Sequence, residues 1–195
     1  MSQSLILASS SPARRALMDK LGLPYQALSP NIDETAHDGE TAEQLVTRLS
    51  REKAQALAAD FPASLIIGSD QCGTLGSVLL GKPGTHDKAV QQLKACRGQT
   101  ITFYTGLALY CHEQNISWQG YETFDVSFRT YSDAEIAGYL KKEQPFHCAG
   151  SFQAEGLGIC LFSKLQGRDP NTLIGLPLML LSDVLRQMGI NPLLD

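Results

Sequence analysis

Residues 5–18 read LILASSSPARRALM. Leu5, Ile6, Leu7 and Ala8 form an unbroken apolar run, the pattern of a short buried strand, and Ser11 followed by Pro12 is an N-cap with proline at the first helical position. The stretch is therefore a strand that turns at once into a helix, which is the repeating step of an α/β fold. Three serines occupy the turn. There the free N–H groups of the helix start, the hydroxyls and Arg14 or Arg15 can converge on one anion, most simply a phosphate. A well-capped helix with two solvated arginines is the alternative, and the segment alone leaves both open.

Outward from that unit the pattern keeps alternating. The first helix spans about Pro12 to Leu21 and stops at Gly22; YQALSP is extended, and the polar loop NIDETAHDGE follows. Thr41 and Gln44 form a capping box, with an apolar stripe carrying a helix to about Ala59. SLIIGSD is a short buried strand ending in an acid, and TLGSVLLGKP a hairpin around Gly76 and Ser77. Thr85 caps a third helix ending at Gly98. TITFYTGLALYC and SWQGYETFDVSFR, joined by HEQN, read as an antiparallel pair. Ser132 and Glu135 form a second capping box, FHCAGSFQAEGLGICLF reads as loop plus strand, and a last helix runs from near Pro177 to Gly189. Without repeats or linkers, this is one α/β domain with a mixed sheet.

Composition narrows the function classes. The 195 residues carry 43% apolar and 18% charged side chains and a net charge of -4, which suits a globular chain and argues against nonspecific nucleic-acid binding. No apolar run approaches the roughly 20 residues needed to span a bilayer. Five cysteines, an odd number without a C-x-x-C, fit reduced thiols, so the expected location is cytoplasmic. The adjacent pairs Cys111-His112 and His147-Cys148 lack zinc-ligand spacing and read as structural or surface residues.

Chemistry in α/β proteins gathers past the carboxyl ends of strands, which singles out Asp70 after LIIGS. A carboxylate there can ligate Mg²⁺ or orient a water, with Gly68 letting a ligand approach the backbone; a turn cap shared with Gln71 is the alternative. Asp33 and Glu34 are paired loop acids suited to a metal. Lys53 beside Glu52 sits on a helix, where a charged face is the ordinary explanation. Lys82, between Gly81 and Pro83, suits a phosphate clamp. Together these acids and bases suggest a polyphosphate with a divalent metal. Neither a Walker A run nor a G-x-G-x-x-G turn is present, so kinase and dinucleotide readings lose ground.

The segments LILASSSPARRALM, DET, REKAQAL, IIGSDQ, GKP, FYTGLAL, CAGSFQAEG and GRDPNTLIGLP occur in an order that resembles the Maf family of nucleotide pyrophosphatases, essentially end to end. The resemblance implies a Maf-type single α/β domain over residues 1–195, with an elongated mixed sheet flanked by helices, two lobes and a central cleft. It implies hydrolysis of a nucleoside triphosphate to the monophosphate and pyrophosphate with Mg²⁺ or Mn²⁺. The family's S-x-S-x-x-R motif falls on Ser9, Ser11 and Arg14, its loop acid on Glu34, its helical lysine on Lys53, its general base on Asp70 and its turn lysine on Lys82. Glu34 and Asp70 are then the candidate metal ligands, with Asp70 either taking the proton itself or holding the metal.

Members preferring dTTP and UTP tend to read D-T and D-K-A-G-x-Y-x-x-Q-G where this chain has Asp70-Gln71 and His147 to Gly156. Gln71 and Glu155 resemble instead the branch preferring 7-methyl-GTP, and Ala13, at another specificity position, offers no aromatic stacking. Expected partners are thus a nucleoside triphosphate, with no nucleic acid and no membrane; a homodimer is compatible with the sequence. Two competing readings are a pyrophosphatase for dTTP, UTP or deaminated purine triphosphates such as ITP, and a nucleotide-binding regulator of cell division.

Overall fold

A computed structural model describes residues 3–194. Seven strands form one mixed sheet in the order β2-β1-β3-β5-β6-β7, with β4 paired to β3. β1 (Leu5–Ala8), β2 (Tyr25–Leu28) and the first residues of β3 (Leu65–Leu75) are parallel. β4 (Val78–Leu80), β5 (Thr100–Cys111), β6 (Ile116–Phe128) and β7 (Phe162–Gly167) are joined by antiparallel pairings. The hairpin linking β5 and β6 turns over HEQN as the sequence reading anticipates.

The side-chain period of two splits each strand between two layers. Leu5, Leu7, Leu65, Ile67, Leu107 and Leu109 pack under α1 (Pro12–Asp19) and α6 (Leu178–Gln187). Ile6, Ile66 and Ala108 face α2 (Ala42–Gln55) on the other side. Further along β5, Ile101 and Phe103 join a separate core with α3 (His86–Cys96) and α4 (Asp133–Glu143). The first two cores, on opposite faces of the same strands, make one lobe, and the third makes the other. Both capping boxes are formed, Thr41 with Gln44 and Ser132 with Glu135.

Three local readings are corrected. β3 does not end at Asp70: it continues to Leu75, because β5 pairs with it from Ile66 through Thr74. Gly73 is part of that strand, where any Cβ would lie 2.9 Å from the Phe103 ring. The run from Phe146 folds into two short 3₁₀ turns, Ala149–Ser151 and Leu157–Leu161, so the strand starts only at Phe162. A short helix, α5 (Pro170–Ile174), was not anticipated, although Asp169 and Pro170 repeat the N-cap and proline signal of Ser11 and Pro12.

Gly68 also has a different task from the one expected. A Cβ there would sit 2.0 Å from Ser50 O and 2.9 Å from Ala54 N, and one on Gly106 would sit 2.3 Å from Val46 O. The two glycines let α2 lie directly on the sheet. Gly68→Ala therefore forces α2 outward, with an expected loss of about 1–3 kcal/mol or more in urea unfolding. Unchanged stability would mean that α2 shifts freely on the sheet.

Candidate active site

The edge of β3 that faces away from β5 is covered in two pieces. β1 pairs with Leu65 to Gly68, and β4 with Gly73 to Leu75. Ser69 to Cys72 lie in the gap, and the gap opens into a cleft of about 810 Å³. All ten residues to which the family resemblance assigned a site role line it. Asp70 is thus mid-strand yet just past the end of β1, so its placement follows the strand-end rule through its neighbour.

Each lining group arrives on its own element. Ser9, Ser11, Ala13 and Arg14 come from the turn between β1 and α1, and Glu34 from the loop after β2. Lys53 comes from α2, Asp70 and Gln71 from β3, Lys82 from the turn after β4, and Glu155 from between the 3₁₀ turns. Asp33 does not take part: it is exposed and accepts bonds from Thr35 N at 2.9 Å and Thr35 Oγ1 at 2.6 Å.

Lys53 is the centre of charge. Far from forming a solvated face, it is 4% exposed, and its Nζ lies 2.6 Å from Asp70 Oδ1 and 2.7 Å from Glu34 Oε1. Lys82 Nζ approaches Glu34 Oε2 at 3.6 Å from the open side of the cleft. Burial pushes the Glu34 carboxyl up, but bonding and charge from Lys53, with the charge of Lys82, outweigh it and hold Glu34 below its ordinary range.

The serine turn is ordered by its own hydroxyls. Ser11 N donates to Ser9 Oγ at 3.1 Å, and Arg14 N to Ser11 Oγ at 3.3 Å, which leaves each O–H proton to donate elsewhere. Arg14 is not a solvated side chain: it is half-buried, and its Nε donates to Gly175 O at 2.7 Å. Burial lowers its pKa, while Asp70 and Glu34 pull the other way, so the guanidinium lies within electrostatic reach of both acids. Gln71 is tied into the scaffold through its amide nitrogen, with Thr172 O at 2.8 Å and Leu173 O at 3.0 Å. Glu155 does not cap the Gly156 turn. Glu143 takes that place, accepting from Leu157 N at 3.1 Å.

A divalent cation fits the donor set. Among the described residues no group of three or more His, Cys, Asp or Glu is placed to hold a metal. Mg²⁺, however, commonly takes one or two carboxylates and completes its shell with water and phosphate oxygens. Glu34 and Asp70 already converge on one ammonium, as two such ligands should.

Sequence reasoning missed the device that sets Glu34. Arg48 Nε and Nη2 grip Glu40 at 2.7 and 2.8 Å, and Nη2 also donates to Thr35 O at 3.1 Å, which straps the Glu34 loop to the helix that carries Lys53. Arg48 bonding, against the opposing effect of burial, brings the Glu40 pKa down to about 2 from an ordinary 4.5. For a carboxylate with a depressed folded pKa, the stabilisation is present above the unfolded value and lost as pH falls through the folded one. Between about pH 5 and pH 2, the wild type should therefore lose more thermal stability than Glu40→Gln. Parallel melting curves for the two proteins across that window would remove the strap from the account.

Among the described residues no helix is long and apolar enough to cross a membrane. The fold is shared with the Staphylococcus aureus Ham1 protein, with a TM-score of 0.50 at 11% identity over 95% of this chain and 100% of that one. A nucleoside-triphosphatase / dITP/XTP pyrophosphatase from Mycobacterium abscessus aligns over 65% of this chain and 74% of its own, with a TM-score of 0.46 at 14% identity. The model of the family described as Maf-like protein matches residues 4–188, nearly the whole chain, and the chain accordingly belongs to that family.

Proposed function

We propose that the cleft hydrolyses a nucleoside triphosphate to the monophosphate and pyrophosphate, with 7-methyl-GTP as preferred substrate. The observation that carries the reading is the convergence of Lys53, Asp70 and Glu34 beside Arg14 and the serine turn in one cleft. Membership of the Maf-like family supports the same chemistry. The serine hydroxyls, the α1 N-terminus and Arg14 hold the phosphates, and Lys82, with a side chain 65% exposed, is free to swing onto them. Asp70 has one oxygen on Lys53, which leaves the other to accept a proton from the attacking water. Glu34 would hold the divalent ion, which supplies charge neutralisation at the phosphates.

The base preference rests on Glu155. A carboxylate only accepts hydrogen bonds, and guanine offers it two adjacent donors, N1–H and the N2 amino group, whereas uracil and thymine offer one N–H between carbonyls that repel it. Methylation at N7 adds positive charge to the ring, and a nearby carboxylate favours it further as the bound base displaces water. Glu155→Gln should narrow the advantage of 7-methyl-GTP over UTP by about 1–3 kcal/mol. The test is kcat/KM for 7-methyl-GTP, GTP, UTP and dTTP on both proteins, with phosphate detected with and without added inorganic pyrophosphatase. Phosphate released without that helper enzyme rules out attack at the α–β linkage, and a wild-type preference for pyrimidines rules out the role of Glu155.

A further inference from the structure

The last carbonyls of a helix have no partners within it and must find donors elsewhere. At the end of α5 those donors come from β3 and β5. Thr172 O accepts from Thr105 Oγ1 and Gln71 Nε2, each at 2.8 Å, and Leu173 O from Gln71 Nε2 at 3.0 Å. Gly175 O accepts from Arg14 Nε at 2.7 Å and faces Ser69 Oγ at 2.9 Å. Gly175 has φ 121°, and a Cβ on it would sit 3.3 Å from Arg14 Nε, so this approach needs glycine.

Gln71 Nε2 also lies 3.1 Å from Thr105 Oγ1. Its two hydrogens thus face three acceptors inside the protein, and none is left for a ligand. Ser69, Thr105 and Thr172 are fully buried, so these groups have no water to turn to if a bond is broken.

We infer that Gln71 is a positioning residue: its amide nitrogen holds the end of α5 against β3, and through the Gly175 carbonyl it aims Arg14 into the cleft, setting phosphate affinity. The inference rests on the reading of Arg14 as a phosphate-binding side chain. Thr105 belongs to the same device although it does not line the cleft.

Inorganic tripolyphosphate, which has no base, is the probe that reads phosphate affinity alone. Calorimetric binding to Gln71→Met and Thr105→Val should each be about three- to thirtyfold weaker than to the wild type. Thr105→Ser, which keeps the hydroxyl, should restore it. In an Arg14→Ala background either change should add less than about twofold, since the effect passes through Arg14. If Gln71→Met does not fold, as judged by circular dichroism, the Thr105 pair decides alone. Unchanged tripolyphosphate affinity in folded variants, or full additivity with Arg14→Ala, overturns the inference. A wild type that shows the coupling but releases no pyrophosphate from any nucleotide overturns the proposed function and leaves the positioning role standing.

Discussion

Asp70→Asn lowers turnover by about a hundredfold or more while triphosphate binding survives, because a positioned general base contributes roughly 10²–10⁴ to rate and an amide cannot accept the proton. The side chain sits in the uncovered edge of β3, 12% exposed, with Lys53 holding one oxygen at 2.6 Å. Asparagine keeps the shape and can still bond within the cleft, so the loss should appear in kcat, with the affinity for a nonhydrolysable triphosphate analogue nearly unchanged. The groups proposed to hold the phosphates lie on other elements, chiefly the turn before α1. Near-normal turnover would remove Asp70 from the chemistry, and equal losses in turnover and analogue affinity would make it a binding group only.

The second large effect is on stability. Lys53→Met leaves Asp70 buried without its cation, and breaking one side of a buried pair costs about 3–5 kcal/mol. Glu34, with a side chain 47% exposed, turns to water far more readily than Asp70, 12% exposed. The double change Lys53→Met with Asp70→Asn should therefore recover most of the loss, because it removes the stranded charge together with its partner. Urea unfolding of the wild type, the two single variants and the double closes the cycle. A Lys53→Met protein as stable as the wild type would show that water reaches Asp70 and that Lys53 serves the ligand alone.

Some of this was legible in the chain and some was not. Ser11-Pro12, Thr41 with Gln44 and Ser132 with Glu135 placed helix starts correctly because capping is a bond between near neighbours, and near neighbours are visible in sequence. The same reasoning passed over Asp169-Pro170, an equally local signal for a five-residue helix. Gly68 and Gly73 were harder. A glycine in a strand can mark a turn, a ligand or a close approach, and only the positions of α2 and Phe103 say which.

Candidate side chains were found by residue type and by resemblance, and the cleft collects all ten. Their partnerships were out of reach. Lys53 reads as a solvated helical lysine until α2 is laid on Gly68 and Gly106, which buries it against Asp70. Arg14 reads as solvated until Gly175, 161 residues away, presents its carbonyl.

What the sequence by itself determined is therefore the set of elements, their caps, the α/β class and the chemical kinds available to the site, since each depends on patterns only a few residues long. The gap between β1 and β4 along β3, the ion pair in it and the aim of Arg14 were decided by tertiary structure alone. They depend on which strand edges meet and which faces are dry, and such long-range pairings leave no mark on local spacing.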